Sequence, residues 1–276
     1  MNITFIGGGN MASAIIGGLL AKETASESLR VVDVFAEARA RIENRFRGVR
    51  CYDRASNAIR NDDVIVLAVK PQQMREVVLQ LGIETNAHLL ISIAAGITLS
   101  SMGRWCSGYT RLVRAMPNTP ALIGEGITAL YSLPGHVDEN DKQRAESILA
   151  AVGQTIWVGD TNEGEDLMNA VTAVSGSGPA YVYLFIEAME QAAVELKLSP
   201  EIARKLVMQT FIGAARLAVE SDDAVGVLRE RVTSKGGTTE AALASMAKDQ
   251  VKTAIIRAIK VANERGRELG RELGKD

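Results

Sequence analysis

The chain has 276 residues and a formal net charge of −2, a length that allows about two domains. Its 47% hydrophobic and 23% charged residues exclude a disordered chain, and Lys+Arg 31 against Asp+Glu 33 offers nucleic acid no basic surface, so no nucleic-acid partner is expected. Two cysteines (Cys51, Cys106) and two histidines (His88, His136) exclude a disulfide framework and a histidine-rich metal centre, and no metal site is expected.

Ile3-Thr4-Phe5-Ile6 reads as a first strand, followed by a helix over about Asn10–Lys22. Leu29–Asp33 is the second strand, Ala36–Arg47 an amphipathic helix and Val49–Cys51 a short third strand. Asp63–Val69 is a nearly continuous apolar run, as a strand covered on both faces requires. Met74–Leu81 is helical, and His88–Ile93, Arg111–Ala115, Gly126–Tyr131 and Thr155–Val158 continue the strands. Strands alternating with helices predict an α/β fold of the Rossmann type, with a doubly wound, mostly parallel sheet.

Beyond Gly159-Asp160 the pattern turns all-helical, with candidates Glu163–Val174, Ala180–Leu196, Pro200–Glu220, Ala224–Arg231, Thr239–Lys248 and Val251–Leu269. Ser199-Pro200 marks a helix start. The predicted domains are therefore 1–160, α/β, and 161–276, helical. The uncharged run Leu167–Ile186 carries Asn169, Thr172 and Ser175-Gly176-Ser177-Gly178-Pro179, which would break a membrane span. It reads as buried helix, loop, buried helix. With no basic leader before Ile3, a cytoplasmic protein with no membrane partner is expected.

Gly7-Gly8-Gly9-Asn10-Met11-Ala12 fits G-x-G-x-x-G/A between a strand and a helix. Gly7 permits the tight turn, Gly9 lets backbone approach a pyrophosphate, and Ala12 keeps helix and sheet close. The helix start then offers N–H groups and positive dipole to the anion. Asp33, ending the second strand, is placed to bind ribose hydroxyls, which favours NADH; Arg39 and Arg41 offer a 2′-phosphate site, which favours NADPH. A turn or capping role for Asp33 is the alternative. Ala68-Val69-Lys70-Pro71 ends the fourth strand, on the side facing the ligand crevice of such sheets. Lys70 either contacts ligand there or is a solvated loop residue. The small Ala94-Ala95-Gly96 leaves room for the nicotinamide, and Met116-Pro117-Asn118-Thr119-Pro120 makes a stiff crevice wall.

A second constellation, Thr233-Ser234-Lys235-Gly236-Gly237-Thr238-Thr239-Glu240, again sets Gly-Gly before a helix. It makes either an anion nest suited to a substrate carboxylate or a plain capped turn. Ser175–Pro179 is either a close-approach loop near the crevice or a packed turn.

These segments together, above all Met116–Pro120, Ser175–Tyr181 and Gly236–Thr239 in this order, resemble the pyrroline-5-carboxylate reductases over essentially the whole chain. The resemblance implies a Rossmann domain and an all-α C-terminal dimerisation domain whose long helices interlock between protomers, with dimers often assembling into decamers. It implies hydride transfer from NADPH or NADH to the C=N carbon of 1-pyrroline-5-carboxylate, giving L-proline. Cofactor binding then falls to Gly7, Gly8, Gly9, Asn10, Met11, Asp33, Ala68, Val69, Lys70, Pro71, Ala94, Ala95 and Gly96. The backbone of Gly236, Gly237 and Thr238 would hold the substrate carboxylate, the Thr239 hydroxyl would meet the ring nitrogen, and Ser234 would support the loop. Arg231 and Lys235 depart from the Asn and Pro of many relatives. The rival readings are a β-hydroxyacid dehydrogenase or imine reductase of similar plan, and a non-catalytic nucleotide sensor. The first is weakened because no lysine lies between Lys142 and Lys197.

Overall fold

The computed structural model describes residues 1–60, 63–82, 88–159, 161 and 163–275. The described residues form two compact units, one of Met1–Ser177 with Ala262–Asp276 and one of Gly178–Val261.

The first unit is built on an eight-stranded sheet. Its strands are β1 (Ile3–Ile6), β2 (Leu29–Val32), β3 (Arg50–Tyr52), β4 (Val64–Leu67), β5 (Leu89–Ser92), β6 (Leu112–Met116), β7 (Gly126–Tyr131) and β8 (Gly153–Trp157). Their order is β3-β2-β1-β4-β5-β6-β7-β8; all neighbours pair parallel except β6 with β7. The order reverses direction between β1 and β4, which opens a crevice at the carboxyl ends of the strands. Alternate residues of each strand enter opposite cores, as a period of two demands. Phe5, Val66 and Ile91 pack on one face with Ile15 and Ile16 of α1 (Asn10–Ala21) and Ile42 of α2 (Ala36–Arg45). Ile65, Leu67 and Leu90 pack on the other with Met74 and Val78 of a helix over Met74–Leu81.

Three helices were not in the sequence reading: α3 (Ala55–Ala58), α5 (Leu99–Trp105) and α6 (Glu139–Leu149), with α4 being Met74–Leu81. Thr98 and Asp138 cap the last two, each side chain accepting a backbone N–H of the first turn. After β8 come α7 (Gly164–Val171) and a π turn over Thr172–Gly176. The predicted loop at Ser175–Pro179 is thus a correction: the helical path continues, and Ser177 N–H donates to Thr172 O at 2.8 Å.

Among the described residues only helical elements follow β8, as predicted for residues beyond 160. Packing divides the chain later, because Met168 of α7 joins the sheet's core and the end of the last helix returns to it. Gly266 and Gly270 of that helix and Gly274 just past its end fall on one face, four residues apart. A Cβ on them would lie 3.7 Å from Asn169 Cβ, 3.1 Å from Gly96 O and 2.5 Å from Ser101 Oγ. Glycine there lets the helix axis approach the turn before α5.

The second unit contains α8 (Gly178–Glu195), α9 (Pro200–Glu220), α10 (Val225–Arg231), α11 (Thr238–Lys248) and the first part of α12 (Val251–Leu273). Ser199 caps α9, with Pro200 in its first turn. The expectation of a buried helix after Pro179 is not met within one chain. No residue of α8 is buried, and Tyr183 is 60% and Leu184 64% exposed. Among the described residues no helix is long and apolar enough to cross a membrane.

Candidate functional site

The Gly-rich turn lies at the reversal point of the sheet. Gly7 has φ +102°, and a Cβ there would stand 2.7 Å from Ala68 O, so the turn abuts the end of β4 and only glycine fits. Gly9 is different: its backbone is extended (φ −74°) and a Cβ would meet nothing within 4 Å. Open space therefore lies before the first N–H groups of α1, the cradle a pyrophosphate needs. Asn10 and Met11 open that helix, Met11 packing partly on the core.

A cavity of about 630 Å³ adjoins the turn. Of the residues the sequence assigns to the cofactor, Gly7, Gly9, Asp33, Ala68, Val69 and Lys70 line it. Gly8, Asn10, Met11 and Pro71 do not. Gly8 N–H donates to Asp33 Oδ2 at 2.8 Å, and Pro71 begins a short turn leading into α4. Asp33 Oδ1 accepts Phe35 N–H at 2.9 Å, so both carboxylate oxygens hold backbone turns, the alternative to ribose binding that the sequence offers. Arg39 braces the same loop, donating to Asp33 O at 2.7 Å, and neither Arg39 nor Arg41 lines the cavity. The cavity's arginine is Arg54, which with Asp53 and Ser56 follows β3. Sequence reading missed these three. The signal was their place after a strand, since carboxyl ends face the crevice.

Ala94, Ala95 and Gly96 lie outside that cavity. Gly96 has φ +78° and a Cβ there would lie 3.4 Å from Leu269 Cβ, so its smallness also admits the last helix. Met116 and Gly176 meet in the first unit: a Cβ on Gly176 would be 2.6 Å from Met116 Cε. Two of the diagnostic segments thus touch. Burial pushes the Cys51 thiol up to about 12 and Cys106 to about 11. Burial thus disfavours the thiolate at both positions.

In the second unit, Gly236 (φ +73°) and Gly237 lead into α11. Gly236 N–H donates to Glu240 Oε2 at 2.7 Å and Gly237 N–H to Ser234 O at 3.0 Å. Two of the three backbone donors expected for a carboxylate are thus engaged internally. Ser234 lies against the turn, its Oγ 2.5 Å from where a Gly237 Cβ would stand. The hydroxyls of Thr238 and Thr239 have no hydrogen-bond partner among the described residues. Arg231, the departure from the family pattern, is ion-paired with Asp223.

A mostly parallel sheet with a Gly-rich turn at its reversal point is the plan of a dinucleotide-binding domain, and residues 2–96 match the family model described as NADP oxidoreductase, coenzyme F420-dependent, which places the chain among the dinucleotide-dependent oxidoreductases. Residues 165–269 match the model for pyrroline-5-carboxylate reductase dimerisation. A pyrroline-5-carboxylate reductase of Haemophilus influenzae is 46% identical over 88% of this chain and 88% of its own length. The solved reductase of Coxiella burnetii superposes with a TM-score of 0.88 at 40% identity, covering 97% of this chain and 98% of that one. That of Plasmodium falciparum, with NADP bound, gives 0.85 at 30% identity, covering 98% of both. The chain belongs to the pyrroline-5-carboxylate reductase family, and its cofactor is NAD(P)H.

Proposed function

We propose that the chain reduces the C=N bond of 1-pyrroline-5-carboxylate to L-proline, the last step of proline biosynthesis, with residues 1–160 serving the cofactor and 161–276 the substrate and the dimer. Family membership along nearly the whole chain supports the reaction. The observation that carries the substrate side is the start of α11, where two threonine hydroxyls without internal partners stand at a helix N-terminus.

Bound NAD(P)H supplies the hydride, so the protein needs no nucleophile of its own. Gly7 to Met11 hold the pyrophosphate, Asp33 and Arg54 border the adenosine side, and Ala68 to Pro71 with Ala94 to Gly96 border the rest. The Gly236–Thr238 backbone holds the substrate carboxylate and the Thr239 hydroxyl faces the ring nitrogen. A threonine is a poor acid at neutral pH; it orients the imine, and the proton arrives on the substrate or through water. Alignment of the imine carbon is the main catalytic contribution. Thr239→Ala is expected to lower kcat about 10-fold, the scale of one oriented hydrogen bond, with Thr239→Ser restoring most of it. Steady-state kinetics check this, and an unchanged kcat removes Thr239 from the mechanism.

Glu240 sets an anion against the nest that the substrate carboxylate enters. Glu240→Ala is expected to lower the KM for the imine about 3-fold with kcat little changed, the scale of one exposed charge near a helix start. A raised KM would show instead that Glu240 shapes the turn for binding.

The bare apolar side chains of α8 and α9 support a dimer formed through the C-terminal helices. The protein acts in the cytoplasm on a small molecule, without a nucleic-acid partner. The deciding experiment follows NADH and NADPH oxidation at 340 nm with racemic 1-pyrroline-5-carboxylate. Production of L-proline supports the reaction, and the ratio of the two rates reports the balance between Asp33 and Arg54. No oxidation by protein that binds the nucleotides would turn the reading to a sensor or another imine.

A further inference from the structure

Three elements of the first unit are tied together at the carboxyl ends of β5 and β6. Arg114, the third residue of β6, is 1% exposed. Its guanidinium donates to Glu165 Oε2 and, at 3.3 Å, to Asn169 Oδ1. Glu165 and Asn169 stand one turn apart on α7. The other oxygen of Glu165 accepts the backbone N–H of Leu99 at 2.5 Å. Leu99 is the first residue of α5, and its N–H is one of the donors a helix start leaves without an intrahelical partner. One carboxylate therefore joins β6 to the start of α5, three residues beyond the Ala94-Ala95-Gly96 turn. From Asn169, α7 runs on into the π turn, whose Gly176 packs against Met116 of the same strand.

Such a pair is a poor device for stability alone, since apolar residues of equal volume fill a core at least as well. What it supplies is direction: a planar fork on one side and a two-oxygen acceptor on the other, each already engaged. It lies where ligands bind in open α/β sheets, at the strand carboxyl ends, yet no member lines the cavity beside the Gly-rich turn.

We propose that Arg114 and Glu165 are positioning residues for the nicotinamide end of the cofactor, fixing against β6 the start of α5 that follows the 94–96 turn. This rests on the reading that Ala94, Ala95 and Gly96 border the nicotinamide. Glutamine at 165 offers one acceptor and one donor, so either Leu99 N–H or Arg114 loses its partner. Lysine at 114 keeps the charge and loses the fork.

The test uses the full chain and its Glu165→Gln and Arg114→Lys variants. Calorimetry gives Kd for NADP+ and for 2′-phospho-ADP-ribose, which lacks the nicotinamide; steady-state assays give kcat. The expected result is a kcat lowered about 10-fold or more, on the scale of lost alignment. The fragment should bind within about twofold of wild type, while the advantage of NADP+ over it collapses. If NADP+ and fragment weaken together, as a general loosening of the fold would cause, the proposal is overturned. It is overturned equally if kcat and the affinity ratio both match wild type. Should Glu165→Gln fail to fold, Arg114→Lys decides alone. The binding comparison needs no turnover, so a wild type that fails to reduce the imine would refute the assigned reaction and leave the network to be judged by the fragment.

Discussion

A Gly9→Val protein should fold as the wild type does and fail to hold NAD(P)H. The backbone at Gly9 is extended, a conformation valine adopts freely, and a Cβ there meets nothing within 4 Å. The added side chain fills the open space in front of the α1 N-terminus and keeps a pyrophosphate from the helix N–H groups. Losing two hydrogen bonds to a charged group, at about 1.5–3 kcal/mol each, raises Kd about 100-fold or more. Tm should stay within about 2 °C, because the change lies at an exposed position without neighbours. Calorimetric titration with NADPH and a thermal melt check both halves. An unchanged Kd would remove the Gly-rich turn from cofactor binding. Gly7→Ala makes the contrast: there both the left-handed φ and the 2.7 Å approach to Ala68 O oppose a side chain, so fold and binding would suffer together.

The second large effect concerns stability. A Cβ on Gly164 would stand 1.9 Å from Cε2 and 2.2 Å from Cδ2 of Tyr131. Tyr131 is 0% exposed, and its hydroxyl donates to Thr161 O at 3.3 Å, so the ring has nowhere to retreat. Burial also holds its pKa above the usual range, and the hydroxyl remains a donor. Gly164→Ala must therefore lift the start of α7, the helix that brings Met168 to the core and Glu165 to Arg114. About 3 kcal/mol or more of stability should be lost, lowering Tm by about 6–10 °C for a chain of this size. A melt that moves by less than about 2 °C would show that the helix start yields without strain.

The sequence made local features legible and left those assembled at a distance hidden. Buried runs gave the strands, and Met74–Leu81, Gly126–Tyr131 and Pro200–Glu220 have the bounds predicted from periodicity and the Ser-Pro start. α5 and α6 escaped notice although Thr98 and Asp138 are good caps, because α5 is short and interrupted by Gly103 and α6 is largely charged. The phosphate turn was readable because its glycines are contiguous and its chemistry is backbone chemistry. Arg54 was not, since strand order, not spacing, brings the end of β3 to the cavity. Nor was the Arg114–Glu165 pair, whose members lie 51 positions apart. At Gly236 and Gly237 the pattern named the turn, while only the coordinates show their N–H groups turned to Glu240 and Ser234.

The glycine face of the last helix has a consequence for how the molecule is made. The first unit is discontinuous in the chain: Ala262 onward completes it, yet Gly178–Val261 intervenes. During synthesis the turn at 94–96 therefore waits, without the helix that covers it, until the whole intervening segment has emerged. For the same reason, a protease cut anywhere within 178–261 would leave the sheet unit as two pieces of chain. Among the described residues, contacts that would still join them include the packing of Leu273 on the sheet's core, the approach of Gly270 to the Gly96 backbone, and the Arg267–Asp166 and Arg104–Gly274 bonds.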